Sequence, residues 1–544
     1  MALGEAPVDI VFLNAELFSP FDCKWDLCDF AVSDGIVIGK GDYSGRREID
    51  LEGARVVPGL IDSHVHIESS LLTPSEYGRL VVPHGTTTVI ADPHEIANVA
   101  GSAGIEYMLE EAEKTELNIE YMVPSCVPAT PADMGGAVLD PEDIRKFAER
   151  GHILGLGEMM NYPGVLSGQD DVYEKLAIFD IVDGHCPGLT GKALNAYVMQ
   201  GIGSEHECTN LSEACEKLKA GMHIFMREGS TEKNLKALAP LVDDITVSRC
   251  TFATDDRHAD MLFNSGHIDD CIRKAIEYGV RRELAYRMAT LSASDYFRLY
   301  DRGAVSPGRR ADFCIIDDSG GFEVRKTYIG GREFNDPGHS SPGRIRYDFN
   351  LRVPEKSGMQ IKGAGMAKVI SIVEGEILTK RLDIKLDGDS VPDLENDLLK
   401  VIVCDRYRGG GLGTGLVKGF GLKKGAIASS VSHDCHNVVA VGASDGEIIE
   451  AIKRVVSCKG GMAAICGERS AVLPLECGGI MSGLSYESVV DEFAGINEIL
   501  KEMTLLKDPF MYLSFLALTV IPELRITYRG LFDVNSFSDV SVFD

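Results

Sequence analysis

One rhythm dominates the middle of this chain and limits what it can fold into. From Val56 to Asp256 a short apolar segment alternates with a longer, mostly helix-patterned stretch, eight times over. The apolar segments are VVPGLIDSHVH, TTTVIADPH, IEYMVPS, HILGLGE, FDIVDGH, GIGSEHE, MHIFMREGS and CTFATDD. Stretches such as GIEYMLEEAEK, PEDIRKFAER, LSEACEKLKA and KNLKALAPLV lie between them and carry helical periodicity. Strands separated by helices pair in parallel, because a parallel pair needs a long crossover connection. Eight such units predict an α/β fold, a (β/α)8 TIM-like barrel over residues 58–300.

The flanks follow different patterns. Residues 1–57 alternate apolar and polar positions between Gly and Asp turns, as in DIVFLNAELF and DFAVSDGIVIGKG, which predicts short antiparallel strands. After a helical run at 271–297, residues 301–340 return to that pattern and are expected to complete the same β-sandwich, split around the barrel. A Gly-, Ser- and Pro-rich stretch at 336–358 reads as a linker. Residues 359–544 are expected to form a further α/β domain. A chain of 544 residues thus holds roughly three structural units.

The formal charge of -29 disfavours nucleic-acid binding, so the expected partner is a small molecule. No apolar run reaches the ~18–20 residues that span a bilayer. The longest candidate, Phe510–Pro522, reads as core. No membrane association and no secretion signal are expected. The fourteen cysteines, without a CxxC pair, read as reduced thiols of a cytoplasmic protein. A homo-oligomer is the expected assembly.

In a barrel of this kind, functional groups sit at the C-terminal ends of the strands. Seven of the eight ends carry His, Asp or Glu: His64 and His66; Asp92, His94 and Glu95; Glu158; Asp183 and His185; His206 and Glu207; Arg227 and Glu228; Asp255 and Asp256. His64 and His66 are two apart on an extended strand and face one side. A set this polar over an apolar barrel calls for compensation, and a metal centre supplies it. His64, His66, Glu158, His185, His206 and Asp255 suffice for two ions, with Glu158 able to bridge them. Mixed N/O donors suit Mn²⁺, Fe²⁺ or Zn²⁺, and the carboxylate share favours Mn²⁺ or Fe²⁺. Water activated there is a nucleophile near neutral pH, and Asp255 can move its proton.

Through PGLIDSHVH, the ordered strand-end ligands, TDD and GRRADF, the chain resembles the amidohydrolase superfamily. Many members place a carboxylated Lys at the end of the fourth strand, where this chain has Glu158. With ADPHEIANV, DGHCPGL, SEHE, MREGS, ATDDRH and SHDCHN, that departure is similar to the prokaryotic adenine deaminases, over essentially the whole chain. The resemblance implies hydrolysis of adenine to hypoxanthine and ammonia in purine salvage, with Mn²⁺ or Fe²⁺ as active metals. It implies the same six ligands, with Glu158 bridging and Asp255 as proton shuttle. Asp256 is a further catalytic candidate. His94, Glu95, Glu207, Arg227 and Glu228 are candidates for holding the purine. His436, in the HDCHN segment, is expected to reach the barrel mouth.

The alternatives are a cyclic amidohydrolase acting on a ring amide, and a non-catalytic scaffold of the same fold. A carboxylated Lys at the end of the fourth strand would favour the first, and that Lys is missing here; lost ligands would favour the second, and every expected ligand is present. RGGGLGTG at 408–415 lacks a G-K-[ST] continuation and reads as a turn rather than a phosphate loop.

Overall fold

The computed structural model describes residues 1–374, 378–386 and 391–543. The eight apolar segments all contain strands: Leu60–Val65, Thr86–Ala91, Asn118–Val123, Ile153–Met159, Val182–Gly184, Ser204–Glu205, His223–Arg227 and Cys250–Ala253. The first five pair in chain order as one parallel sheet, and the last three as another. Single parallel bridges connect Val182 to Ile202 and Val65 to Asp255, at the two places where the sheets face each other. Backbone bonds carry these junctions: Gly203 N–H donates to Val182 C=O over 2.9 Å, and Asp255 N–H to His64 C=O over 3.0 Å.

The helices are shorter than the periodicity suggests. PEDIRKFAER contracts to Pro141–Arg145, started by a reciprocal capping box between Asp140 and Asp143. Leu211–Lys219 begins where the Asn210 side chain accepts from Glu213 N–H. The run at 271–297 is not one helix. Ile268–Glu277 ends at Gly279, whose φ of +95° halts it, and the chain resumes as Arg282–Arg287.

The N-terminal segment builds one mixed sheet of eight strands, which the chain rejoins after the parallel strands: Phe313–Asp317 pairs with Arg55–Pro58. The expectation of purely antiparallel strands is corrected here. Val8–Ser19 pairs antiparallel with Lys24–Ser33 but parallel with Gly45–Asp50 and Arg55–Pro58. Its twelve residues are long enough to offer one edge to two successive short strands. Phe12 meets Phe30 at 4.9 Å and Phe313 at 5.0 Å, and these rings fill the sheet's interior.

Residues 336–364 cross to the C-terminal region with only one short helical turn at Lys356–Met359. There an eight-stranded sheet runs from Thr379–Leu386 at one edge to Arg469–Pro474 at the other, covered by the helices Asp445–Ser457 and Tyr486–Met503. The glycine-rich stretch is a turn into the strand Leu412–Lys418, closed by Asp405 N–H on Gly411 C=O. One core joins this sheet to the five-stranded parallel sheet and its helices: Val65, Val89 and Tyr107 pack in the same cluster as Val401, Ile427 and Phe493. All fourteen cysteines are free. No helix among the described residues is long and apolar enough to cross a membrane.

Candidate functional site

The strand ends converge on one carboxylate. Glu158 sends Oε1 towards His66 Nε2 at 3.3 Å and His64 Nε2 at 4.0 Å, and Oε2 towards His185 Nδ1 at 2.7 Å and His206 Nε2 at 3.2 Å. Asp255 Oδ1 stands 3.0 Å from His66 Nε2 and 3.4 Å from His64 Nε2. The two first-strand rings meet at Nε2···Nε2 3.2 Å, as their spacing along the strand predicts. All six predicted ligands are therefore together, and apart from His185 all are buried.

Neighbouring groups fix these side chains. His66 Nδ1 faces the Asp92 carbonyl at 2.9 Å, which leaves Nε2 directed at the centre. The Asp92 carboxylate accepts from Glu158 N–H at 2.9 Å and runs so close to Gly157 that a Cβ there would lie 2.1 Å from Oδ2. That accounts for the glycine before Glu158. Asp62 accepts from Thr254 Oγ1 at 2.5 Å and lies 3.0 Å from His267, holding the first and last strands in register. Glu205 is an internal prop: it lies 3.2 Å from buried Lys217 and accepts from Cys186 and Glu207 N–H.

Asp255 has a left-handed backbone, φ +56°, an arrangement that costs of order 1–3 kcal/mol and persists only where its surroundings impose it. Arg227 Nη1 lies 2.5 Å from Asp255 Oδ2 and 2.5 Å from Glu207 Oε1. Burial pushes the Asp255 carboxyl up, but Arg227 and the histidines outweigh it and hold the group well below the usual carboxylate range. Burial likewise opposes ionisation of Glu158, and His185, His206 and His66 reverse it.

Around this centre lies a small cavity of about 70 Å³. Of the predicted substrate-contact residues, His94, Glu95, Glu207 and Arg227 line it, as does Asp256. Asp256 accepts from Ser69 Oγ. His94 places Nδ1 3.5 Å from Glu158 Oε1 and Nε2 3.7 Å from Glu95 Oε1. His436 stands one layer back. Ser432 N–H donates to its Nδ1, so Nε2 bears the proton and donates to Glu95. His433 Nδ1 contacts the other Glu95 oxygen. The HDCHN segment does reach the mouth. Burial pushes Glu95 up, and His433, His436 and His94 together hold it well below the ordinary range.

Glu228 is the exception. It points away from the cavity to Lys274 Nζ, 2.8 Å off. Glu228 lies one residue past the strand His223–Arg227, where Arg227 turns inwards to Asp255 and Glu228 turns outwards to Lys274. Met160, Glu232 and the apolar set Phe515, Leu518, Val520 and Ile521 escaped the sequence reading, and Asp434 lines the cavity as part of the HDCHN segment. Burial raises Glu232 to about 7 despite Arg227. Burial and neighbouring Glu95 raise Asp434 to about 6.

The donor set fits divalent cations. His64, His206 and Asp255 converge within 4.8 Å, as do His64, His66 and Glu158, and also Glu158, His185 and His206. Imidazole and carboxylate donors of this kind suit first-row divalent ions.

A model of the amidohydrolase family matches residues 55–334, about half the chain, which defines the class. A second model, the adenine deaminase C-terminal domain, matches residues 376–538. An adenine deaminase of Methanoculleus marisnigri is 56% identical over 95% of this chain and all of its own length. One of Methanoregula boonei is 55% identical over all of this chain and 98% of its own. A solved adenine deaminase structure aligns over 60% of this chain and all of its own, with 18% identity and a TM-score of 0.45. The chain belongs to the adenine deaminase family of amidohydrolases.

Proposed function

We propose that this protein hydrolyses adenine to hypoxanthine and ammonia. The observation that carries the reading is the Glu158 carboxylate lying between two sets of imidazoles, with Asp255 beside it in a buried cavity. The relatives' names specify adenine. The strand order and its two bridges support one closed (β/α)8 barrel over residues 58–300. That barrel is inserted in the N-terminal sheet (1–57 and 301–340) and followed by a C-terminal domain at 359–544.

Two ions would be held here. His64, His66, Glu158, His185, His206 and Asp255 would hold them. Mn²⁺ is the preferred ion, with Fe²⁺ or Zn²⁺ as substitutes. Such ions supply Lewis acidity and lower the pKa of water.

The remaining work belongs to the chain. Asp255 accepts a proton from the attacking water as oxygen bonds to C6 of adenine. It then delivers that proton to the exocyclic nitrogen, the C6–N bond breaks, and ammonia leaves. Arg227 keeps the Asp255 carboxylate oriented and ionised between these transfers. Glu232, whose carboxyl burial raises to about 7, and the ionised Glu95 line the cavity and offer the ring nitrogens hydrogen-bonding partners. The solvent-poor cavity strengthens each of these interactions.

The test is reconstitution of apoprotein with Mn²⁺, measuring bound metal and ammonia release from adenine together. The expected result is two equivalents per chain and turnover that tracks them. Full metal loading without ammonia release would overturn the reading.

A further inference from the structure

Strand-end residues form the floor of the cavity by construction, so residues that line it from elsewhere form its walls and roof. The roof is the segment after the helix Pro509–Phe515: Phe515, Leu518, Val520 and Ile521. Phe515 stacks on the His433 ring at 5.2 Å, which places it directly over the floor's outer edge.

This segment has no regular secondary structure beyond Phe515, yet it is firmly held. Leu516 and Ala517 are anchored in the core shared by the barrel strands and the C-terminal sheet. Thr519 Oγ1 lies 2.7 Å from Thr130 Oγ1, on the loop after the third parallel strand. Buried Arg525 binds both ends of the segment. It donates Nη1 to Phe515 C=O at 2.8 Å, Nε to Ile521 C=O at 2.6 Å and Nη2 to Pro522 C=O at 3.1 Å. One guanidinium thus closes the roof loop on itself. Its fork geometry supplies Ile521 C=O with a donor and adds a second one to Phe515 C=O and Pro522 C=O, which also accept from Leu518 N–H and Thr379 N–H.

The cavity under this roof is small, about 70 Å³, and its roof residues are all apolar. In a purine the edge bearing N3 and N9 lies opposite the edge bearing C6 and N1. With C6 on the floor, N9 meets the roof. A substituent on N9 would then be directed at Leu518 and Val520, which line the cavity on that side. The hydroxyls of a sugar there would also be buried against apolar side chains without hydrogen-bond partners, which costs several kcal/mol in the absence of compensation.

We infer that the segment Phe515–Ile521, clamped by Arg525, is the specificity determinant that admits a free purine base and excludes 9-substituted purines. Leu518 and Val520 set the size limit, and Arg525 is a positioning residue that keeps them in place. The inference rests on the adenine reading above.

The test compares kcat/KM for adenine, 9-methyladenine and adenosine in Mn²⁺-loaded full-length protein. Wild type, Leu518→Ala, Val520→Ala and Arg525→Met are measured, with Leu505→Ala as an exposed control. Calorimetric binding of hypoxanthine against 9-methylhypoxanthine reports the same selection without turnover. Each roof truncation is expected to raise the 9-methyladenine/adenine ratio about 10- to 200-fold, the scale set by one methyl-sized group in a pocket. Arg525→Met should raise that ratio and KM for adenine together, with kcat changed least. The Leu505→Ala ratio should equal wild type. Because two independent truncations are used, misfolding of one leaves the other to decide. Adenine turnover with ratios unchanged within about twofold in both truncations would overturn the roof inference alone. Wild type that neither turns over nor binds purines would overturn the adenine reading and the roof inference with it.

Discussion

The floor and the roof of the cavity are built by different means. The floor gathers six ionisable side chains, from His64 to Asp255, at the ends of strands in the middle of the chain. Some are held from behind, His66 by the Asp92 carbonyl and Asp255 by Arg227. The roof is an apolar loop from near the C-terminal end, tied down through its own carbonyls by Arg525. The two meet where His433 and His436 grip Glu95. Chemistry resides in the floor and selection in the roof, and the Glu95 contact couples them. Changes to the floor should therefore abolish turnover, changes at the junction should weaken it, and changes behind the roof should show in stability.

The largest effect is expected at the floor. Asp255→Asn keeps shape and removes the proton acceptor, so kcat should fall about 10²- to 10⁴-fold, the usual worth of a positioned acid–base group. Steady-state ammonia release, with metal content measured in parallel, separates this loss from loss of the ions. At the junction, Glu95→Gln leaves His433 and His436 without their anion. A loss of about 10- to 100-fold in kcat/KM is expected, the scale for groups that orient a ligand shell. An unchanged value would mean that the C-terminal region merely abuts the barrel.

Behind the roof, buried Asp133 lies close to Asp434 and is pushed by burial from its ordinary 3.8 up to about 8. The unfolded chain releases this proton near 3.8 and the folded chain near 8. Folding therefore takes up a proton between these values, and stability falls as pH rises through that window. Asp133→Asn should remove the dependence. Its melting temperature should exceed wild type by roughly a few °C at pH 8 and by less at pH 5. A gain that is equal at both pH values would show that the carboxyl does not titrate as described. The smallest effect is expected for Glu228→Gln. The residue faces Lys274 rather than the cavity, so turnover should stay within about twofold while the melting temperature drops.

The floor was legible in the sequence because its residues break an apolar pattern. A His or Glu at the end of an apolar strand stands out, and their order along the chain maps directly onto the strand order. The roof was not legible for the converse reason. Phe515, Leu518, Val520 and Ile521 belong to an apolar run that reads as core, and part of it is core: Leu516 and Ala517 are fully buried. Only the fold shows that their neighbours line a cavity. Glu232 was hidden differently. It follows the strand His223–Arg227 rather than ending it, and returns over the cavity through the Gly229 N–H to Glu232 C=O turn. The placement of Glu228 could not be read from alternation, because it lies past the strand His223–Arg227, and at other strand ends consecutive residues such as His206 and Glu207 both face the cavity. The mixed pairing of Val8–Ser19 could not either, because strand direction there depends on how the turns carry the chain, which alternation does not encode.

One measurement bears most directly on the whole account: product analysis of the Mn²⁺-loaded protein offered adenine, adenosine and a cyclic amide such as a hydantoin side by side. The account predicts equimolar hypoxanthine and ammonia from adenine, with adenosine and the ring amide left intact. Ring opening of the amide with adenine unchanged would contradict it, keeping the metal-binding floor and overturning the chemistry assigned to it.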